Sequence, residues 1–192
     1  MGKKIDLRIQ RTHKALCDTF FTMLNENTFE KITVNSLCEK ANIRRATFYK
    51  HFADKYDFFG FFIRNILSSF LAGIHDYEKS GTPYSYYTYI FEACMHFMME
   101  NRPLIQNVAN SNMNSTLLDI FADEIYKSVY ANVEKHPEYV DQLQIPHNTL
   151  AAFYTGGIVQ SIRLWFNCNG SISDEEFIQG ITTLIESVQP KK

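Results

Sequence analysis

The sequence has little of what membrane, secreted and metal-binding proteins are built from. None of its apolar stretches reaches the ~18 consecutive residues that a membrane-spanning helix needs, and the longest aromatic run, Phe58-Phe59-Gly60-Phe61-Phe62-Ile63, ends at Arg64. The opening Met1-Gly2-Lys3-Lys4 is basic, but Ile5-Asp6-Leu7-Arg8 follows where a secretion signal would carry an apolar segment. A protein that stays in the cytosol is therefore expected. Cysteine is scarce: Cys17, Cys38, Cys94 and Cys168 lie tens of residues apart, with no Cys-x-x-Cys and no histidine at ligand spacing. Neither a zinc site nor a disulfide framework is indicated, and free, mostly buried thiols are expected. No Ser/His/Asp order, paired-carboxylate motif or phosphate-cradling glycine loop stands out, which argues against a helical enzyme and against any cofactor. No alternating strand pattern of useful length, no internal repeat and no low-complexity tract is visible.

What is present is an apolar fraction of 45% in 192 residues, enough for one large domain or a small module joined to a larger one. The net charge of −2 is unevenly distributed. Residues 1–57 carry 11 Lys/Arg against 7 Asp/Glu, a surplus of +4, while the other 135 residues carry 8 against 14, a deficit of −6. A basic head on an acidic body is the pattern of a small DNA-binding module attached to a larger domain with another task.

Helical periodicity runs through nearly the whole chain. Residues 6–25 read as a helix, with Asp6 available as a cap and Ile9, Leu16, Phe20 and Leu24 on one face. After the break at Asn25-Glu26-Asn27-Thr28, Thr33 is a good N-cap for a short helix to about Lys40, and Ile32 and Leu37 occupy the two staple positions across it. Ala41-Asn42-Ile43 then allows a tight turn, since asparagine enters the left-handed region at small cost. A second short helix is predicted from Arg44 to about Phe52, with Phe48 and Phe52 facing inward and Arg45, Tyr49 and Lys50 outward. Two short helices joined by such a turn, after a longer one, make a helix-turn-helix. Asp54 would cap a long fourth helix to about Asp76. Residues 78–83 read as a loop, and helices are predicted over 84–100, 104–110, 115–135, 146–168 and 173–188.

The stretch from Phe29 through Thr33, Leu37, Ala41, Thr47-Phe48-Tyr49 and Phe52 to Lys55 closely resembles the N-terminal domain of TetR/AcrR-family transcriptional regulators. The tail Phe153-Tyr154-Thr155-Gly156-Gly157-Ile158 … Leu164-Trp165-Phe166 resembles a C-terminal domain found in such regulators. The resemblance implies an all-α protein: a helix-turn-helix domain over 1–56, joined by the long fourth helix to a ligand-binding and dimerisation domain over 57–192. Two positions depart from the family pattern. Asn42 stands where glycine is usual, and Arg44 stands where Ser or Thr would cap the recognition helix, which weakens that cap by ~1 kcal/mol.

In helix-turn-helix proteins the second helix enters the major groove and its first residues meet base edges. Arg44 and Arg45 are the candidates for base readout, through bidentate contact with guanine, although either could instead touch only phosphate. By resemblance, Thr33 and Thr47 would offer hydroxyls to phosphate or base, and Tyr49, His51 and Lys55 would reach phosphates. Lys50 belongs to the same face without an assigned role.

Dimerisation across a two-fold axis is expected through the last two helices, where Ala152, Gly156, Gly157 and Ser161 keep one side small and Phe177 and Ile181 would face them. A pocket for an unidentified small-molecule effector would fall among Tyr87, Phe91, Met95 and Met98, though aromatic and methionine residues at helical spacing are more often plain core. The function implied is a homodimeric repressor that leaves a palindromic operator when the effector binds. An activator, or a regulator controlled by a protein partner after losing its own pocket, fits the same residues.

Overall fold

The computed structural model describes residues 7–75, 83–137, 141, 144–167 and 173–188. Among these residues there are nine α-helices, one 3-10 turn and no strand. In order they are α1 (Leu7–Glu26), the 3-10 turn (Phe29–Lys31), α2 (Val34–Lys40), α3 (Arg45–Phe48), α4 (Lys55–His75), α5 (Pro83–Glu100), α6 (Arg102–Ala109), α7 (Asn114–Lys135), α8 (His147–Asn167) and α9 (Asp174–Ser187). The Asp6 cap, Cys168 and residues 78–82 of the expected loop lie outside the described residues; Pro83 opens α5.

The chain folds as two compact units. The first takes in residues up to Ile63 together with Asn101–Leu117, so it extends past residue 56 and recruits α6 from further along the chain. The second holds Arg64–Glu100 and the residues from Leu118 onward.

The first unit is organised around phenylalanine. The apolar stripe of α1 buries Leu16, Phe20, Met23 and Leu24, and Phe20 is fully enclosed. Its ring meets Phe58 at 5.1 Å and Phe62 at 4.9 Å, both close to edge-on, the geometry aromatic quadrupoles favour. Helix α6 packs on α1 and buries Leu104, Ile105 and Val108. Asn107 Nδ2 donates to the Leu24 carbonyl at 2.7 Å, satisfying one of the acceptors that the end of α1 leaves without an intrahelical partner.

In the second unit α5 packs against α8 and α9. The ring of Tyr87 stacks on Tyr154 with centroids 4.0 Å apart, and the Tyr86 hydroxyl lies 2.7 Å from Ser128 Oγ. Helix α9 starts from a reciprocal cap: Ser173 Oγ accepts the Glu176 N–H at 3.2 Å while the Glu176 carboxylate faces the Ser173 N–H. The Trp165 indole N–H donates to Asp174 at 2.7 Å. Cys17, Cys38 and Cys94 are free and buried; burial pushes the Cys17 thiol up to about 11 and the Cys94 thiol higher still, so both are poor nucleophiles.

Candidate nucleic-acid interface

The entry to α2 is fixed by its own side chains. Thr33 Oγ1 accepts the Ser36 N–H and Ser36 Oγ accepts the Thr33 N–H, each at 3.1 Å. This is a capping box with serine in the third position. Ile32 and Leu37, across the cap, are both 1% exposed, as a hydrophobic staple requires.

Helix α2 ends as the asparagine predicts. Asn42 has φ 54°, the Ile43 N–H donates to the Cys38 carbonyl at 2.9 Å and the Asn42 N–H to that of Glu39 at 3.2 Å. Those two bonds around a left-handed residue are a Schellman motif, and they set the direction in which the chain leaves for α3.

Regular α3 is shorter than the sequence suggests, ending at Phe48 rather than Phe52. Its N-cap Arg44 has extended backbone and no side-chain cap, because an arginine has no acceptor to offer the free N–H groups. The chain nevertheless keeps turning: Tyr49 N–H bonds to Arg45 O, His51 N–H to Phe48 O and Phe52 N–H to Phe48 O at 2.9–3.0 Å. Phe48 and Phe52 point inward and meet Phe58 at 5.7 and 4.9 Å. Arg44, Arg45, Tyr49 and Lys50 are exposed, as is Thr33, while Thr47, His51 and Lys55 are half-buried. One outward face therefore carries two arginines, a lysine and a phenol above an apolar floor.

His51 is less simple than a surface phosphate contact. Its ring meets His13 of α1 edge-on at 4.9 Å, and His13 also contacts Phe52 and Phe61. His13 Nε2 is buried with no hydrogen-bond partner. Desolvation, and then the nearby His51, hold the His13 pKa below the ordinary histidine value.

Lys55 occupies a site that the sequence does not reveal. Asp54 caps α4, its Oδ1 accepting the Tyr56 and Asp57 N–H groups at 2.8 Å, while the Asp57 carboxylate returns to the Ala53 N–H at 2.9 Å. From this first turn the Lys55 ammonium reaches back to the carbonyls of Phe29 (3.2 Å), Glu30 (3.3 Å) and Ile32 (3.0 Å). It also lies 4.4 Å from the centroid of the Phe29 ring. On the other side of the same turn, Glu30 Oε1 accepts the Asn112 N–H at 2.8 Å, a bond that heads the influences lowering the Glu30 pKa. Glu30, His13 and Asn107 escape a sequence reading because their partners lie tens of residues away.

The remaining candidates fall in the second unit. Tyr87, Phe91, Met95 and Met98 are all buried along α5. Ala152, Gly156 and Gly157 are exposed, Ser161 and Ile181 half-buried, and Phe177 is packed inside with 7% exposure. The large apolar side chains exposed on these helices are Phe153 and Leu164 of α8 and Leu184 of α9, with Val188 just beyond. Among the described residues no cluster of three or more His, Cys, Asp or Glu could hold a metal ion, and no helix is long and apolar enough to cross a membrane.

Three kinds of likeness bear on this arrangement. Residues 86–187 match a TetR-type family described as "Transcriptional regulator C-terminal region". A stretch of 54 residues is 46% identical to an uncharacterised helix-turn-helix-type transcriptional regulator, YxbF, of Bacillus subtilis, covering 28% of this chain and 14% of that protein's length. In overall fold, a TetR-family regulator of Syntrophomonas wolfei superposes with a TM-score of 0.72 at 16% identity, over 93% of this chain and 95% of that one. The regulator FadR of Bacillus subtilis, solved with stearoyl-CoA, superposes with a TM-score of 0.67 at 11% identity, over 90% and 97%. The family match, which spans more than half of the chain, makes it a transcriptional regulator. Within that class, the chain belongs to the TetR family.

Proposed function

We propose that this regulator acts as a homodimeric repressor: residues 1–56 grip a palindromic operator and residues 57–192 dimerise and bind a small-molecule effector that releases the DNA. The observation that carries the DNA reading is the exposed set Arg44, Arg45, Tyr49 and Lys50 on α3 and its following turn, held over buried Phe48 and Phe52. Arg44 and Arg45 open the recognition helix, where base edges are met, and supply the bidentate donors that read guanine. Around them, Thr33 and Thr47 are directed at phosphate or base and Tyr49 and His51 at phosphate, with Lys50 on the same face.

Dimerisation is supported by the apolar residues that α8 and α9 leave uncovered. Phe153, Gly157 and Leu164 recur at helical spacing on α8, and Leu184 is 61% exposed on α9. Around Gly156, Gly157 and Gly180 a Cβ would meet nothing within 4 Å, so these positions leave room for a second helix to approach closely. Effector binding is supported by the aromatic and methionine residues Tyr87, Phe91, Met95 and Met98 and by the likeness to a regulator solved with an acyl-CoA. Apart from the tyrosine hydroxyls, the described polar side chains buried in this unit are Ser128, Asn132, Thr155 and Thr182, all uncharged. A largely apolar effector suits that interior.

The test is selection of binding sites from random duplex DNA with the full chain, followed by light scattering of the free protein and its operator complex. Recovery of a palindrome bound by two chains, in a complex that dissociates as salt rises, is expected. Recovery of no site, or a protein that remains monomeric on its DNA, would overturn the reading.

A further inference from the structure

Lys55 begins the helix that follows the reading helix, and its expected partner there is a DNA phosphate. Its surroundings argue for a different task. An ammonium has three N–H donors, and the Lys55 Nζ lies within hydrogen-bond distance of three carbonyls, those of Phe29, Glu30 and Ile32. The Phe29 carbonyl also accepts the Ile32 N–H at 3.2 Å, so it is shared between the turn's own backbone and the cation, which gathers the Glu30 and Ile32 carbonyls beside it. The ring of Phe29 supplies further attraction from the apolar side. No donor is left over for a phosphate oxygen while this arrangement holds.

The turn so gripped ends at Ile32, and Thr33, the next residue, caps α2. From the opposite side the Glu30 carboxylate is tied to the Asn112 N–H beyond α6. We propose that Lys55 is a positioning residue: with Glu30 it locks the Phe29–Ile32 turn, fixing where α2, and through the Asn42 turn α3, present their operator-facing side chains. This rests on the operator-binding reading above and assigns Lys55 a role within it.

The two roles leave different marks. A phosphate contact contributes to every DNA sequence alike and adds about 0.9 to the slope of log affinity against log salt. A positioning residue affects only binding that depends on correctly placed side chains. The experiment measures affinity of the full-length protein for its selected operator and for an unrelated duplex across a salt series, for wild type, Lys55→Met and Lys55→Arg, with helical circular dichroism confirming the fold. Operator affinity should fall about tenfold in Lys55→Met, equivalent to ~1.4 kcal/mol, with affinity for unrelated DNA and the salt slope nearly unchanged. Lys55→Arg discriminates further, because a planar guanidinium keeps a phosphate contact but its fork does not converge on three carbonyls; it should lose operator preference as Lys55→Met does. Should the variants fail to fold, nuclear magnetic resonance of the wild-type lysine ammonium groups takes their place: the Lys55 signal should be slow to exchange and unaltered by operator. A slope shallower by about 0.9 with equal loss on both DNAs, full rescue by arginine, or coupling of the Lys55 ammonium to a phosphate phosphorus would overturn the proposal. If wild type itself selects no operator, it is the operator reading that fails.

Discussion

Asn42 is one side chain through which backbone conformation and DNA geometry are tested together. Its φ of 54° is one that glycine adopts freely, that asparagine tolerates, and that costs other residues roughly 1–2 kcal/mol. For Asn42→Gly two effects oppose each other. Relief of the residual strain stabilises the fold, while the greater freedom of glycine in the unfolded chain costs about 0.4–1 kcal/mol. The expected net change is within ~0.5 kcal/mol. Asn42→Ala keeps the strain and offers no local hydrogen-bonding side chain, so it should cost about 1 kcal/mol, and β-branched Asn42→Val about 2 kcal/mol. The order expected is therefore Asn and Gly together, then Ala, then Val. The assay is urea unfolding followed by helical circular dichroism. Trp165, the single tryptophan, lies in the second unit, so its fluorescence followed alongside the dichroism tells whether the two units unfold together. Because the two Schellman bonds set the exit from α2, operator affinity should follow the same order. Alanine as stable as glycine would refute the argument, since it would mean that position 42 is not held in the left-handed region.

Three further outcomes are expected. Arg45→Ala should relax preference at one operator position, a loss of roughly 1–3 kcal/mol of discrimination, read from a binding profile over single-base variants; an unchanged profile would remove Arg45 from the base edges. Gly157 is exposed and a Cβ there meets nothing within 4 Å in the protomer, so Gly157→Glu should leave the helical fold intact while light scattering shows monomers and operator binding is lost; a stable dimer would move the interface elsewhere. Because the folded His13 pKa is depressed, folding favours its neutral form, so its contribution is fully present above the ordinary value of 6.5 and is lost as pH falls through the lower folded value. His13→Phe should stabilise the fold and flatten that part of the stability–pH profile; an unchanged profile would dissociate His13 from it.

The reading elements were largely visible in the sequence because each depends on neighbours a few residues away. Thr33 caps within three residues, Ile32 and Leu37 form their staple across that cap, and Asn42 closes its turn on carbonyls three and five residues back. The early end of α3 was less visible, since Tyr49, Lys50 and His51 are ordinary helix residues, yet past Phe48 the backbone tightens to bonds three residues apart, Lys50 N–H to Thr47 O and His51 N–H to Phe48 O. Lys55 shows the limit of local reasoning most clearly. A lysine in a first turn near DNA-facing residues is expected to point outward, and only the fold brings carbonyls 23 to 26 residues earlier under its ammonium. The recruitment of α6 by the first unit is hidden for the same reason. On α9 the apolar residues occupy more than one face, Phe177 and Ile185 turned inward and Leu184 outward, so periodicity alone does not say which would meet a second chain.

The layering of the reading helix has an evolutionary meaning. Phe48 and Phe52 anchor it from below in a nest of phenylalanines, while Arg44, Arg45, Ala46, Tyr49 and Lys50 project from its exposed side. Substitutions at such exposed positions usually change stability by no more than about 0.5 kcal/mol. After gene duplication, one copy could therefore drift to a new operator without first acquiring compensating changes in its core. The same separation makes this helix a convenient chassis for rewired genetic circuits: its exposed positions can be randomised together and screened against chosen DNA sites, with the aromatic floor left untouched.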